Sequence, residues 1–184
     1  SDLLPEDLFN PDAGSRASDE APDPEVSSAT VSNVVFYLKT LRAPSRRDEG
    51  HPDVLVGEQL FSAIGCAACH VPMLRTGASE IAVLDRVQFY PYTDLLLHDM
   101  GPELDDGYTE GIALTSEWRT PPLWGIGIQD AFQGGETFFL HDGRARTLAD
   151  AIGLHGGEGA AARGVYQALS ADDQARLIRF LESL

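Results

Sequence analysis

Apolar side chains recur at helical spacing near both ends of the chain. In the first such segment Val31, Val34, Val35 and Leu38 fall on one helical face, and the pattern predicts an amphipathic helix over 28–41. The same periodicity predicts three further helices, at about 53–64, 147–155 and 171–184.

The first and last predicted helices have similar sequences. Ser170 with Asp173 three residues later is the capping pattern that begins a helix, and Ser27 takes the equivalent position at an offset of 143 residues. At the same offset, YLKTL at 37–41 aligns with FLESL at 180–184. We interpret this match as two copies of one domain type, of which the first survives only as its last helix. The alternative is that any amphipathic helix ends in this way.

Before and between these helices the sequence predicts loops and linkers. Residues 1–26 carry eight acidic residues against Arg16, and this composition predicts an extended or mobile segment. Residues 42–52 predict a linker, and 71–135 predict loops with short helical stretches. Because no segment shows sustained strand alternation, the predicted fold class is all-α. The predicted division is an acidic flexible segment at 1–26, a helix and linker at 27–52, and one domain over 53–184.

The net charge of the chain excludes one class of function. The chain of 184 residues has a formal net charge of −16, and Lys39 is its single lysine. Non-specific nucleic-acid binding is excluded, because it needs clustered Lys and Arg. We favour a solvated acidic surface over a docking surface for a basic partner. No run approaches the ~20 apolar residues of a membrane helix, and the absence of an initiator Met at Ser1 predicts a processed chain or a fragment.

The two cysteines of the chain lie in CAACH at 66–70. Two thioether bonds to a haem need cysteines that one helical turn can present together, and the histidine that follows is directed to the iron. A preceding helix that stops at Gly65 fits this geometry. A zinc site would need a second ligand pair, a thioredoxin-like site would need a βαβ context, and a disulfide framework would need more cysteines. The motif therefore predicts a covalent c-type haem on Cys66 and Cys69, with His70 as proximal ligand.

Spacing alone leaves the ligand on the opposite haem face open. The candidates are Met73, His98, Met100, His141 and His155. Met73 follows His70 too closely to reach the other face. His98 and Met100, in LLLHDMG at 95–101, are only slightly favoured over His141.

Four segments resemble a known family. They are CAACHVP at 66–72, PYTDLLLHDMGP at 91–102, EWRTPPLWG at 117–125 and FLHDGRARTL at 139–148. Through them, residues 53–184 resemble the C-terminal haem domain of the bacterial di-haem oxidoreductases labelled thiol-oxidoreductase-like, relatives of the di-haem cytochrome c peroxidases and MauG. The resemblance implies a cytochrome c-like domain with long loops.

The resemblance also implies a distal ligand. In the peroxidase and MauG relatives this ligand, Met or Tyr, stands fourteen residues after the His of the His-Asp-Gly motif, and that position here is His155. The implied pair is therefore His70 and His155. The alternatives are His98, then Met100, with a surface role for His155 at a helix end.

Other pocket residues follow from the same resemblance. His141 is expected in the pocket scaffold. Arg144 and Arg146 are candidates to pair with the haem propionates, since guanidinium binds carboxylates in a fork; the alternative is exposed cations on a turn. Three further residues are expected to form the pocket wall or to line the electron path: Trp118, Arg119 and Trp124. The alternative for the two tryptophans is ordinary core packing.

A calcium site is the weaker possibility among the cofactors. The acidic side chains that crowd one Gly-containing loop are Asp99, Glu103, Asp105, Asp106 and Glu110. The spacing of an EF-hand is absent, so a solvated loop is favoured.

Three functions are compared. We expect an electron-transfer domain with one covalent haem and bis-histidine ligation, acting as a relay within a di-haem oxidoreductase. The alternative is a peroxidase- or MauG-like haem enzyme whose reactive haem lies in a preceding domain. A thiol oxidoreductase is disfavoured, because the haem would consume both thiols. The expected partner is a redox protein or a second haem domain, and the expected compartment is the periplasm, because c-type attachment occurs outside the cytoplasm.

Overall fold

A computed structural model of the chain describes residues 26–109 and 111–184. The predicted acidic segment therefore lies outside the described residues, apart from Val26. The described helices are α1 (Ser28–Thr40), α2 (Pro52–Ala63), α3 (Gln129–Phe132), α4 (Leu148–Gly153), α5 (Ala160–Ala168) and α6 (Ala171–Ser183). The chain divides into two units, one ending at Arg42 and the other comprising Ala43–Leu184.

Two small sheets correct the all-α prediction. Their strands are β1 (Leu74–Arg75), β2 (Gln88–Phe89), β3 (Leu97–Asp99) and β4 (Glu117–Arg119). β1 pairs with β2 and β3 with β4, both antiparallel. The fold is thus mostly helical, as predicted, but not purely so. Strands of two or three residues are too short for alternation to show in the sequence.

The first unit, as far as it is described, contains α1. Its N-cap Ser27 accepts a hydrogen bond from the Thr30 amide at 3.1 Å, and none of its residues is buried. Helix α6 begins in the same way, with Ser170 accepting from the Asp173 amide at 3.2 Å. The two helices have 13 residues each and keep the offset of the sequence match. That α1 is the last helix of a preceding domain stays a prediction.

The core of the second unit is the contact between α2 and α6. Val54 of α2 and Leu177 of α6 are fully buried. Phe61, Tyr92 and Phe180 form an aromatic cluster, with ring centres 5.2–5.9 Å apart. Aromatic burial of this kind is a large apolar contribution to stability. The cluster also fixes the C-terminal end of α2, from which the cysteine motif emerges.

The helices after residue 147 differ from the prediction in number. The sequence predicted two, whereas the structure has α4, α5 and α6. The missed helix, α5, carries Gly164 and follows the Gly-rich turn at 156–159. Glycines lower helix propensity, so they hid a short helix that packing stabilises.

No helix within residues 26–109 and 111–184 is both long and apolar enough to cross a membrane.

Close packing at Gly57 generates a stability prediction. A Cβ at Gly57 would overlap the Arg176 carbonyl oxygen and lie 2.7 Å from Phe180 Cβ. Gly57→Ala should therefore lower the free energy of unfolding by about 1–3 kcal/mol, although alanine favours helix. Urea unfolding of the purified chain measures this.

The matched control is Gly164→Ala in α5, where an added Cβ meets no atom within 4 Å. Its free energy of unfolding should stay unchanged or rise by up to about 1 kcal/mol. Equal effects of the two substitutions would contradict the packing of α2 on α6.

Candidate functional site

The cysteine motif forms a tight turn directly after α2. Helix α2 ends at Ala63, and Gly65 adopts a positive φ of 102°, a conformation that favours glycine. Residues Cys66–Ala68 then form a 3₁₀ turn, and the His70 amide donates to the Cys66 carbonyl at 3.0 Å. The turn therefore presents Cys66, Cys69 and His70 from one short, hydrogen-bonded segment.

The two thiols are not arranged for thiol chemistry. Both cysteines are free. Burial raises the pKa of the Cys66 thiol to about 11, and burial also raises the pKa of Cys69. Reactive cysteines have the opposite shift, because the thiolate is the nucleophile. These raised pKa values therefore disfavour thiolate chemistry at neutral pH.

His70 is oriented by the backbone of another segment. Its Nδ1–H donates to the Tyr92 carbonyl oxygen at 3.1 Å. Burial lowers the pKa of His70 to about 4, so the imidazole is neutral at pH 7. With Nδ1 protonated in this bond, Nε2 keeps the lone pair that a metal requires. This is the usual arrangement of a metal-binding histidine.

The Tyr92 carbonyl is itself held in place. Tyr92 is buried and has a φ of 54°, which is uncommon for a large side chain. Its neighbour Thr93 is fixed by two bonds: its amide donates to the Val71 carbonyl at 3.0 Å, and its hydroxyl donates to the Thr120 carbonyl at 2.6 Å. The role of Tyr92 was not predicted from the sequence, although Tyr92 lies in the motif at 91–102.

His155 mirrors His70. It follows the end of α4, and its Nδ1–H donates to the Ala151 carbonyl oxygen at 2.7 Å. Burial lowers the pKa of His155, so this imidazole is also neutral, with Nε2 free of described hydrogen bonds. The ring centres of His155 and His70 lie 6.4 Å apart. The structure thus brings together two histidines 85 positions apart in the sequence.

His98, the first alternative ligand, has both ring nitrogens engaged. Its Nε2–H donates to Asp94 Oδ2 and its Nδ1–H donates to Glu158 Oε2, each at 2.8 Å. Its Nδ1 also lies 3.7 Å from Cys69 Sγ. Cys69, Asp94 and His98 are the one group of three potential metal ligands found among the described residues. An imidazole that donates from both nitrogens offers no lone pair to a metal.

Met100, the second alternative, lies beside His155. A Cβ added at Gly159 would meet the His155 ring at 3.4 Å and the Met100 methyl carbon at 3.5 Å. The two side chains therefore border the same glycine. The geometry keeps Met100 close to the site without giving it a partner that orients its sulfur.

Glycines shape the turn after His155. A Cβ at Gly156 would lie 2.5 Å from the Met100 carbonyl oxygen. A Cβ at Gly157 would overlap the Asp99 carbonyl oxygen. The turn therefore packs backbone against backbone on the end of β3 and the residue that follows it, which only residues without a side chain permit.

His141 and Trp118 form a stacked pair. Their ring centres are 3.5 Å apart and their planes differ by 8°. The Trp118 indole N–H donates to the Leu104 carbonyl at 2.9 Å, so the stack is anchored through Trp118. Arg119 is exposed, and Trp124 packs near Phe89. Roles for Trp118 and Arg119 in the pocket wall stay predictions.

The two arginines of the His-Asp-Gly-Arg segment already have protein partners. Arg144 binds the Asp142 carboxylate and the Glu103 carbonyl. Arg146 stacks on the Phe138 ring, with the guanidinium carbon 3.9 Å from the ring centre. Pairing of Arg144 and Arg146 with haem propionates stays a prediction.

Carboxylates of the acidic loop stabilise turns within the loop itself. Asp99 accepts from the Gly101 amide, Asp105 from the Gly107 amide and Asp106 from the Tyr108 amide, at 2.7–2.8 Å. Glu103 contributes its carbonyl to Arg144, and Glu110 lies outside the described residues. These bonds are those of a solvated loop, and calcium there stays an untested idea.

The residues present fit a haem c. Metal–imidazole bonds are about 2 Å long, so two imidazoles that share one ion through Nε2 have ring centres roughly 6 Å apart. The observed separation of His70 and His155 is 6.4 Å. Both histidines are neutral and oriented by carbonyls, and two protonated thiols lie in the adjoining turn.

Comparison with known proteins yields one match. A family model described as "Di-haem oxidoreductase, putative peroxidase" matches residues 10–184. No curated protein and no solved structure gives a significant match.

The His98 site generates a pH prediction. The bonds to Glu158 and Asp94 raise the pKa of His98 above its ordinary value. Protonated His98 should therefore stabilise the fold fully below the unfolded-state pKa of about 6.5. This contribution should be lost as the pH rises through the raised folded-state pKa. Between about pH 6 and 9, the parent chain should lose more unfolding free energy than His98→Gln.

Urea unfolding of both chains across this pH range gives the comparison. Parallel curves for the parent chain and His98→Gln would show that His98 is not protonated between the two carboxylates.

Proposed function

This chain belongs to the di-haem oxidoreductase family, and we propose that it carries one covalent c-type haem, bound axially by His70 and His155, and relays electrons. Family membership implies haem as the cofactor and an oxidoreductase role. The finer assignment rests on the paired histidines. The single observation that carries it is the pair of neutral imidazoles with ring centres 6.4 Å apart, each anchored through Nδ1 by a backbone carbonyl.

The attachment is proposed at Cys66 and Cys69. Their raised pKa values disfavour a thiol oxidoreductase, which would need a thiolate at neutral pH. Their turn begins at the rigid end of α2, beside Phe61, whose ring centre is 6.3 Å from that of His70. One segment thus presents two attachment thiols and the proximal imidazole.

Ligation by two histidines favours electron transfer. When bound, the haem iron supplies the site that gains and loses one electron. With His70 and His155 both holding the iron, no site would remain open for peroxide. Histidine in place of methionine also lowers the reduction potential, because the Met/His pair raises it.

The redox partner proposed is a second haem domain or a redox protein. The family description names two haems, and the sequence carries one CxxCH motif, at 66–70. The match between α1 and α6 supports a preceding copy of the same cytochrome c-like domain type, ending with α1. In this proposal residues 53–184 form the second haem domain, and the electron path passes between the two.

The proposed compartment is the periplasm, because thioether attachment of haem takes place outside the cytoplasm.

A second candidate function is a peroxidase- or MauG-like enzyme. It is favoured by the family description, which names a peroxidase. For this chain to react with peroxide at its own haem, His155 would have to leave the iron. The two candidates therefore differ in whether the bond to His155 persists in the working protein.

Separate alanine substitutions of His155 and His98 test the proposal. His155→Ala should convert the ferric haem from low-spin to high-spin and open the reduced haem to carbon monoxide, because it removes the distal ligand. His98→Ala should keep the low-spin spectrum, because His98 binds carboxylates. Visible absorption spectra of the holoproteins give the spin states.

The parent chain serves as the reference in this experiment. It should bind carbon monoxide slowly and should not turn over peroxide. A high-spin spectrum of His98→Ala with an unchanged His155→Ala would reassign the ligand. Peroxide turnover by the parent chain would favour the enzyme instead.

A further inference from the structure

The turn that carries His155 is attached to β3 by a side chain as well as by backbone packing. Residues Gly157–Gly159 form a 3₁₀ turn directly after His155 and Gly156. Glu158, in the middle of this turn, directs its carboxylate to β3 (Leu97–Asp99). The contact joins two segments that are distant in the sequence.

Both oxygens of Glu158 are used in this contact. Oε1 accepts from the Asp99 amide at 3.0 Å, and Oε2 accepts from His98 Nδ1 at 2.8 Å. The other nitrogen of His98 donates to Asp94, whose Oδ1 accepts from the Leu96 amide at 2.9 Å. A carboxylate–imidazole–carboxylate chain therefore ties the His155 turn to the segment 94–99.

The same chain reaches the attachment turn. His98 Nδ1 lies 3.7 Å from Cys69 Sγ, the proposed attachment atom next to the proximal ligand. His98 thus contacts the turn on the proximal side and, through Glu158, the turn on the distal side. The turns next to the two proposed iron ligands are thus linked through His98 and Glu158.

His155 consequently has two anchors. On its N-terminal side, its ring is bound to the carbonyl of Ala151, a buried residue of α4. On its C-terminal side, the described side-chain bonds from the Gly157–Gly159 turn to β3 are those of Glu158. The glycines of this turn have no side chains that interlock with β3, so they give shape without a directional bond.

We propose that Glu158 is a positioning residue that, together with His98, holds the His155 turn against β3 and so slows dissociation of the distal imidazole from iron. This inference rests on the proposed bis-histidine function. It assigns control of distal ligand release to residues that do not touch the iron.

The exposure of Glu158 separates this role from a general stabilising one. Its side chain is 55% exposed, and exposed ion pairs contribute little to global stability. Removing Glu158 should therefore lower the melting temperature only slightly, by its share of the stabilisation from protonated His98. A group that bonds a metal ligand directly changes metal affinity or activity by about 10- to 100-fold. Glu158 acts on His155 through the turn, so its effect on ligand release should lie at the lower end of that range.

Carbon monoxide binding to the reduced holoprotein measures His155 release, because the gas can bind only when the imidazole has left. The variants are Glu158→Gln, Glu158→Ala and His98→Gln, with Glu80→Gln as a control that removes an exposed carboxylate elsewhere. Glu158→Gln keeps an acceptor for the Asp99 amide, whereas Glu158→Ala loses both bonds.

We expect carbon monoxide to bind about tenfold faster or more in Glu158→Ala, less so in Glu158→Gln, and unchanged in Glu80→Gln. His98→Gln should accelerate binding as well. Hydrogen exchange of the amides at 155–159 and at Asp99 should become faster in Glu158→Ala, and this readout does not depend on the haem reaction.

His155→Ala distinguishes a failure of the positioning role of Glu158 from a failure of the bis-histidine proposal. If it binds carbon monoxide rapidly while Glu158→Ala and Glu158→Gln behave as the parent chain, the positioning role is wrong and the bis-histidine proposal stands. If the parent chain already binds as fast as His155→Ala, both are wrong. A fall in melting temperature without a faster rate would also overturn the positioning role.

Discussion

Two hydrogen bonds from imidazole Nδ1–H to backbone carbonyls determine what this site is able to do. One joins His70 to Tyr92 and the other joins His155 to Ala151. Each bond fixes a ring and its tautomer, so Nε2 retains its lone pair, and burial keeps both rings neutral. The proposed haem ligation depends on these two bonds, because an imidazole without them would be free to rotate or to take the other tautomer.

The rest of the second unit holds these carbonyls and rings in place. Packing of α2 on α6, made close by Gly57, fixes the helix end from which the cysteine turn emerges. Tyr92, which has a positive φ, supplies the carbonyl that binds His70, and the short helix α4 supplies the carbonyl of Ala151. A mostly helical scaffold with small sheets therefore positions the two carbonyls and the two imidazoles. Hydrogen bonds to backbone amides and carbonyls fix the conformation of the long loops.

The sequence predicted those parts of the site that covalent chemistry or periodicity dictates. The CxxCH motif at 66–70 is visible because the two proposed thioethers need fixed spacing, and α2 and α6 are visible because each buries one apolar stripe. His155 was reached through the spacing of relatives. The carbonyls of Tyr92 and Ala151 were not predictable, since every residue has a carbonyl. The bond between His98 and Glu158 joins positions 60 apart and had no local signal.

Near-infrared magnetic circular dichroism of the ferric holoprotein would show whether one iron binds His70 and His155 together, because the energy of the porphyrin-to-iron charge-transfer band depends on the pair of ligands. Binding by both histidines should give a low-spin band at the energy typical of two neutral imidazoles. A band typical of a histidine–methionine pair, or a high-spin band, would show that His70 and His155 do not share the iron.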